Sequence, residues 1–244
     1  TVPAGVLSFT VTLPTIDDTE IELTEGVPFT VGGVTGTGQI LDNDKPTIIE
    51  VEPGTPATTD DNVVEGNNLI FNVTLSEATV EETLYSFSLG GGSATAGVDY
   101  SNLSFSDGVT ISADGLSLII PAGMTTFSAT LPTIDDTEVE LTETVLLNVD
   151  GVIGTGGILD NDKPIIIEVE PGTPATTDDN VVEGNDLIFN VTLSEATITE
   201  TSYSFSLGGG SATAGADYTN LSFSAGVTVS GDGLSLIIPA GVIT

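Results

Sequence analysis

Apolar and polar residues alternate with period two over long stretches of the chain. Leu69, Phe71, Val73 and Leu75 share one phase; so do Tyr85, Phe87 and Leu89, then Leu116, Leu118 and Ile120, then Phe127, Ala129 and Leu131. This alternation predicts strands with one face on a core and one face in water. Gly90-Gly91-Gly92, Asp107-Gly108, Asp114-Gly115 and Ala122-Gly123 supply the turns between them. No stretch carries helical periodicity. One strand breaks its own rule, because Val139, Leu141, Val145, Leu147 and Val149 share a phase into which Glu143 also falls. A lone buried carboxylate is costly. Either a bulge re-aims the strand at Glu143, or Glu143 stands at an open end of a sandwich and has a partner. Glu25 poses the same question earlier in the chain.

The pattern recurs at a constant spacing of 118 residues. Leu13-Pro14-Thr15-Ile16-Asp17-Asp18-Thr19-Glu20 returns unchanged at Leu131 to Glu138, and Ile40 to Pro46 returns at Ile158 to Pro164. Val51 to Ala78 returns at Val169 to Ala196 with one change, Asn68 to Asp186. A tandem repeat is therefore the organising feature. Asp-Asn-Asp-Lys-Pro is the natural punctuation, since proline after a polar cluster marks a strand end and linker. The expected division is 1–44 as the back part of one repeat, 45–162 as a complete repeat and 163–244 as the front part of the next. Seven or so short strands in each repeat predict an all-β architecture, a linear array of antiparallel immunoglobulin-like β-sandwiches.

Composition narrows the chemistry. The 244 residues carry 36 acidic and 2 basic side chains, no histidine and no cysteine, for a formal net charge of −34. Two lysines cannot form the basic surface that nucleic acid requires. Histidine bases, cysteine nucleophiles, disulfides and thiolate or imidazole zinc sites are all impossible. Hydrophobic residues are 39% of the chain, enough for a packed core. No segment reaches the roughly 18 apolar residues of a membrane span. The opening Thr1-Val2-Pro3-Ala4-Gly5 has no signal-peptide character, and the odd frame reads as a piece of something longer. Self-repulsion on this scale opposes compaction. It calls for a cation from solution, a divalent one above all, or else for an acidic coat of the halophile kind.

The acid is concentrated at strand ends: Asp60-Asp61, Glu65, Asp99, Asp135-Asp136, Glu138, Glu140, Glu143, and Asp160 with Asp162. Calcium takes six to eight oxygen ligands, several of them carboxylates, and soft metals lack their ligands here. Clusters converging from separate loops therefore point to calcium, Ca2+. The alternative is a set of solvated turn aspartates.

Four motifs in order now carry a resemblance. Val64-Glu65-Gly66, Thr95-Ala96-Gly97-Val98-Asp99-Tyr100, Ile134-Asp135-Asp136 followed by Glu140 and Glu143, and Gly156-Gly157-Ile158-Leu159-Asp160-Asn161-Asp162 resemble the Calx-beta domain. The resemblance implies a seven-stranded immunoglobulin-like sandwich. It also implies calcium ligands at Glu65, Asp99, Asp135, Asp136, Asp160 and Asp162, with Glu140 beside them. The repeat carries the same positions to Asp17, Asp18, Asp42 and Asp44 in the first part and to Glu183 and Asp217 in the last. The family's terminal run is often three aspartates, and Asn161 interrupts it here.

Near-identical tandem copies also resemble the extender regions of giant bacterial surface adhesins, in which calcium between modules stiffens a rod. Lys45 and Lys163, the only basic residues, both lie in the linker. The expected function is structural: a repeat segment of a secreted or cell-surface fibrous protein, serving spacing and adhesion at the extracellular surface. A carbohydrate- or surface-binding module is the second class, and an enzyme using paired carboxylates the third and least expected. The expected partners are neighbouring repeats, or copies of the chain end to end. In the second case residues 1–44 of one copy complete 163–244 of another by strand complementation. The other reading is one continuous longer chain.

Overall fold

The computed structural model describes residues 1–55, 61–172 and 179–243. Among these every regular element is a strand. In chain order they are β1 (Glu25–Val31), β2 (Val34–Ile40), β3 (Ile48–Pro53), β4 (Asn62–Val64), β5 (Asn68–Leu75), β6 (Thr83–Leu89), β7 (Ser104–Phe105), β8 (Thr110–Ile111) and β9 (Ser117–Ile120). They continue as β10 (Thr126–Pro132), β11 (Glu143–Val149), β12 (Val152–Leu159), β13 (Ile166–Pro171), β14 (Phe189–Leu193), β15 (Thr201–Ser204), β16 (Thr228–Val229) and β17 (Ser235–Ile238).

Strands β3 to β12 build two sheets that share one core. One sheet runs β3-β5-β10-β7, the other β4-β12-β11-β6-β9-β8. All pairings are antiparallel except β4 against β12. The period-two residues meet between the sheets: Phe71, Val73 and Leu75 from β5, Phe127, Ala129 and Leu131 from β10, Val145, Leu147 and Val149 from β11, with Tyr85, Leu118 and Ile120. Ile48 and Val51 are both buried, an offset that strict alternation forbids. A register shift between Ile48 and Glu50 supplies the extra residue. The Tyr85 hydroxyl, buried among aliphatic side chains, donates to Pro46 O at 2.6 Å and so satisfies its polar end.

The chain departs from the sequence expectation in three places. There are ten short strands in this sandwich rather than seven. Leu116 lies outside β9 and is exposed. The strand expected from Val139 begins only at Glu143, leaving Leu141 in an exposed loop. Carboxylates explain the last difference. Asp136 Oδ1 accepts from the Glu138 N–H at 2.7 Å, and Asp160 Oδ2 accepts from the Glu140 N–H at 2.8 Å. The backbone donors are thus satisfied by side chains instead of by a ladder. No bulge occurs in β11, whose register with β12 is unbroken from Glu143↔Ile158 to Val149↔Val152.

Either side of this sandwich the same sequence builds less. β1 and β2 form a hairpin whose register, Glu25↔Ile40 to Val31↔Val34, repeats that of β11 and β12. Residues 8–14, in the position of β10, form no strand. After the linker, β13 pairs with β14 alone, and β15-β17-β16 form a three-stranded sheet. Residues 180–182 and 222–223, equivalent to β4 and β7, form no strand.

Candidate metal centre

The acidic residues of the complete sandwich gather at one end, where four loops meet. Glu65 follows β4, and its N–H extends the β4–β12 pairing by donating to Leu159 O at 3.0 Å. That brings Glu65 beside Asp160 and Asp162, which follow β12. Asp99 is fixed from both sides: its Oδ2 accepts from the Thr95 N–H at 2.5 Å and its carbonyl accepts from the Ile134 N–H at 2.9 Å. Gly66 ties the Glu65 loop to the Asp135 loop. Its φ is +78°, and a Cβ there would stand 3.0 Å from Asp135 Cβ.

Three overlapping carboxylate triads result: Glu65 with Asp136 and Glu140, Glu65 with Asp160 and Asp162, and Asp99 with Glu140 and Glu143. In each, one oxygen per residue lies within 4.8 Å of the others. Glu65 and Asp99 are buried, and the other members are half-buried. Of the residues singled out in sequence, Glu65, Asp99, Asp136, Glu140, Asp160 and Asp162 come together here. Asp135 lies at the rim, exposed, its Oδ1 taking the Asn161 Nδ2–H at 2.9 Å. Asp60 lies outside the described residues.

Electrostatics mark this end as short of positive charge. The Glu65 carboxyl is pushed up to about 7, chiefly by burial; the Asn161 N–H, which donates to its Oε1 at 3.2 Å, opposes the shift, while Asp160 and Asp162 add to it. Glu143 is likewise pushed up to about 7, by burial and then by the facing Asp99 carboxyl. Burial and the charges of Asp99, Asp136, Asp160 and Glu138 raise Glu140. Asp162 Oδ2 is buried and receives no N–H or O–H bond, as is Asp61 Oδ1. The Glu65 carboxyl faces Asp162. Two ionised carboxylates cannot bond one another, so either a proton or a cation must lie between them.

Of the two alternatives for Glu143 the structure shows the open end: it joins the cluster from the first position of β11, and its partner is another acid, Asp99. One residue carries a role that the sequence motifs did not disclose. Asn161, an interruption in an acidic run by sequence, is a double donor that bridges Glu65 and Asp135.

The remaining positions form half-sites. In residues 1–44 the loop bonds recur: Asn43 Nδ2–H to Asp17 Oδ1 at 3.1 Å, Glu20 N–H to Asp18 Oδ1 at 2.8 Å, Glu22 N–H to Asp42 Oδ2 at 2.6 Å and Asp44 N–H to Asp42 Oδ1 at 2.9 Å. Among the described residues no carboxylate triad forms around them. Glu183 and Asp217, which are those equivalents, are exposed and line an open cleft of ≈ 790 Å³. The Thr213 N–H still donates to Asp217 Oδ2, at 2.7 Å.

The linker lysines act locally. Lys45 Nζ lies 3.1 Å from Asp150 Oδ2, donates to Leu84 O at 3.2 Å and sits 4.2 Å from the Tyr85 ring centre. Lys163 repeats the pose on Ser202 O and the Tyr203 ring.

No family model matches the chain, and no curated protein does. Solved structures of the S-layer protein SbsC align with parts of it. Domains 4 and 5 of SbsC align at 16% identity and a TM-score of 0.27, over 56% of this chain and 57% of that one. The rSbsC(31-844) structure aligns at 14% and 0.28 over 71% of this chain, and SbsC domains 1-6 at 12% and 0.28 over 77%. The chain spans about a quarter of those two longer structures.

Proposed function

We propose that the chain is a structural repeat segment of an extracellular, cell-surface array, and that calcium bound at the strand-end cluster holds each sandwich and its exit linker in place. The observation that carries this reading is the Glu65–Asp160–Asp162 triad. It joins the loop after β4 to the linker after β12, and it sets a buried Asp162 oxygen facing the Glu65 carboxyl, a place that a proton or a cation must fill. Hard oxygen ligands in this number suit calcium and offer nothing to softer metals. Asp160 and Asp162 lie just before Lys163-Pro164, so ordering them orders the start of the next repeat. Extracellular modules bind calcium at about 10⁻⁴–10⁻³ M, which makes folding of the joint respond to leaving the cell. Near-identity of the copies favours spacing over recognition.

The test is calorimetric titration of the chain with calcium, magnesium and sodium, alongside variants E65Q and D162N. Calcium binding that is lost in E65Q and weakened in D162N supports the reading. Equal heats for wild type and E65Q, or no calcium heat at all, refute it.

A further inference from the structure

We infer that each repeat carries a receptor notch for the Lys-Pro segment of the linker that enters it, and that this notch locks successive repeats to one another without a cation. The inference does not rest on the metal reading above, and it concerns the opposite end of the sandwich. β11 starts in the acidic cluster at Glu143 and ends at Val149, so the Asp150-Gly151 turn into β12 lies at the far end. Both turn residues have positive φ, +50° and +90°, as a tight two-residue hairpin requires. The turn is tied back to β6. The Asp150 N–H donates to Ser86 O at 2.8 Å, and the Ser86 hydroxyl donates to Asp150 Oδ1 at 3.4 Å. The other oxygen, Oδ2, is left to face the entering linker, 3.1 Å from Lys45 Nζ. Leu84 O accepts from the same ammonium, and the Tyr85 ring lies beneath it at 4.2 Å, where the aromatic face attracts a cation. The Tyr85 hydroxyl is pushed up to about 12, by burial and then by Asp150, so it keeps its proton and donates to Pro46 O. The Pro46 side chain is fully buried. Both basic residues of the 244-residue chain, Lys45 and Lys163, occupy this one kind of notch.

The notch matters because the linker has no free residue. On its exit side it belongs to the sandwich it leaves. Asp160 accepts from the Glu140 N–H through Oδ2 and from the Asp162 N–H, at 2.7 Å, through Oδ1, while Asn161 bridges Glu65 and Asp135. On its entry side it belongs to the next repeat. Lys163 Nζ donates to Ser202 O at 3.0 Å and lies 4.7 Å from the Tyr203 ring centre, and the Tyr203 hydroxyl donates to Pro164 O. The Ile165 N–H donates to Ser194 Oγ at 3.0 Å, and the Ser194 N–H returns to Ile165 O at 2.8 Å. Each residue from Asp160 to Ile165 thus makes a hydrogen bond, and the partners change from one repeat to the next at the single Asp162–Lys163 peptide. The earlier joint is built alike. The Asp44 N–H donates to Asp42 Oδ1, and Thr47 exchanges two bonds with Ser76, at 3.0 Å and 2.8 Å. Between the two joints Leu84 becomes Ser202, yet the lysine bond persists because its acceptor is a main-chain oxygen. Hinges need residues whose φ and ψ are free to change, and this linker offers none.

The test is backbone ¹⁵N relaxation on the 244-residue chain, in chelator and then in millimolar calcium. In chelator the wild-type amides of Asp44, Lys45 and Thr47, and of Asn161, Asp162 and Lys163, are expected to show order parameters of about 0.85, as rigid strands do. K45M/Y85F keeps the apolar stem and the ring but removes the ammonium and the hydroxyl. It is expected to drop the amides of the first joint below about 0.6, with the second joint and the amides of β5 and β10 unchanged. K163M/Y203F is expected to do the reverse. It lies outside the complete sandwich, so it decides the matter if K45M/Y85F also loosens β5 and β10. Linker amides already below about 0.6 in wild type in chelator, or a K163M/Y203F joint as rigid as wild type, overturn the proposal. Calcium keeps the two readings apart. A linker that is mobile in chelator and ordered by calcium refutes the notch and leaves the metal site standing. A linker rigid in chelator, in a chain that gives no calcium heat, upholds the notch and refutes the metal site.

Discussion

The most informative perturbation is pH in the absence of divalent metal. Glu65 is 6% exposed and its carboxyl is held up to about 7 against an ordinary 4.5. In the unfolded chain it ionises near the ordinary value, so between these limits the folded state binds more protons. Stability is then fully present below the ordinary value and is lost as pH rises through about 7. Each unit of displacement is worth about 1.4 kcal/mol, so Glu65 alone weakens the metal-free sandwich by about 3 kcal/mol at pH 8. For a domain of this size that is a fall in melting temperature on the order of 10–20 °C. Calcium binds the ionised cluster, so its effect runs the other way; at tenfold over its dissociation constant it returns about 1.4 kcal/mol, and more at higher ratios. The assay is near-ultraviolet circular dichroism of the buried Tyr85 and Tyr100 during thermal melts from pH 5 to 8, in chelator and then in calcium. The E65Q variant should lose the Glu65 share of the pH slope, leaving that of Glu143 and Glu140, and melt higher than wild type in chelator at pH 8. A flat melting temperature across this range in chelator, or an E65Q slope equal to wild type, would refute the account of the cluster.

Other outcomes follow from single contacts. F71A should cost about 3–5 kcal/mol of sandwich stability, while F189A in dilute monomer costs less than about 1.5 kcal/mol because its ring is already half in water; denaturant melts compare the two. K45A removes a partly exposed pair with Asp150 and a ring contact, so its cost stays under about 1 kcal/mol and shrinks in high salt. G66A forces a side chain into positive φ against Asp135, and should lose about 1–2 kcal/mol together with part of the calcium response in the same melts.

Much of the fold was legible because each buried strand position obeys the pleat. Phe71, Val73, Ala129, Leu131 and Val145 could be assigned to a core from alternation alone. Val139 and Leu141 alternate as well, yet they belong to a loop. Their neighbours' N–H groups are taken by Asp136 and Asp160, and nothing in a period-two pattern records where a distant carboxylate will fall. Acidic spacing and turn residues brought Glu65, Asp99, Asp136, Glu140, Asp160 and Asp162 into view, and the loops do gather them. The bonding of Asn161 was hidden, because a donor among acids looks like a defect until its two acceptors are in place. The contrast between Phe71 and Phe189 could not be read locally at all. The flanking sequence is nearly the same, and what differs is whether a strand lies alongside.

The parallel ladder between β4 and β12 gives the sandwich a direction of strength. β4 enters near the start of the repeat and β12 leaves at its end, joined by Asn62↔Gly157, Val63↔Ile158 and Val64↔Leu159. Tension that reaches β4 from its N-terminal side and β12 from its C-terminal side drags these strands past one another along their own axes. The bonds between them must then yield together rather than peel one after another. The ladder terminates at Glu65 and Asp160, so a cation there would act as a rivet at the end of the seam, setting the rupture force of the module without altering its resting length.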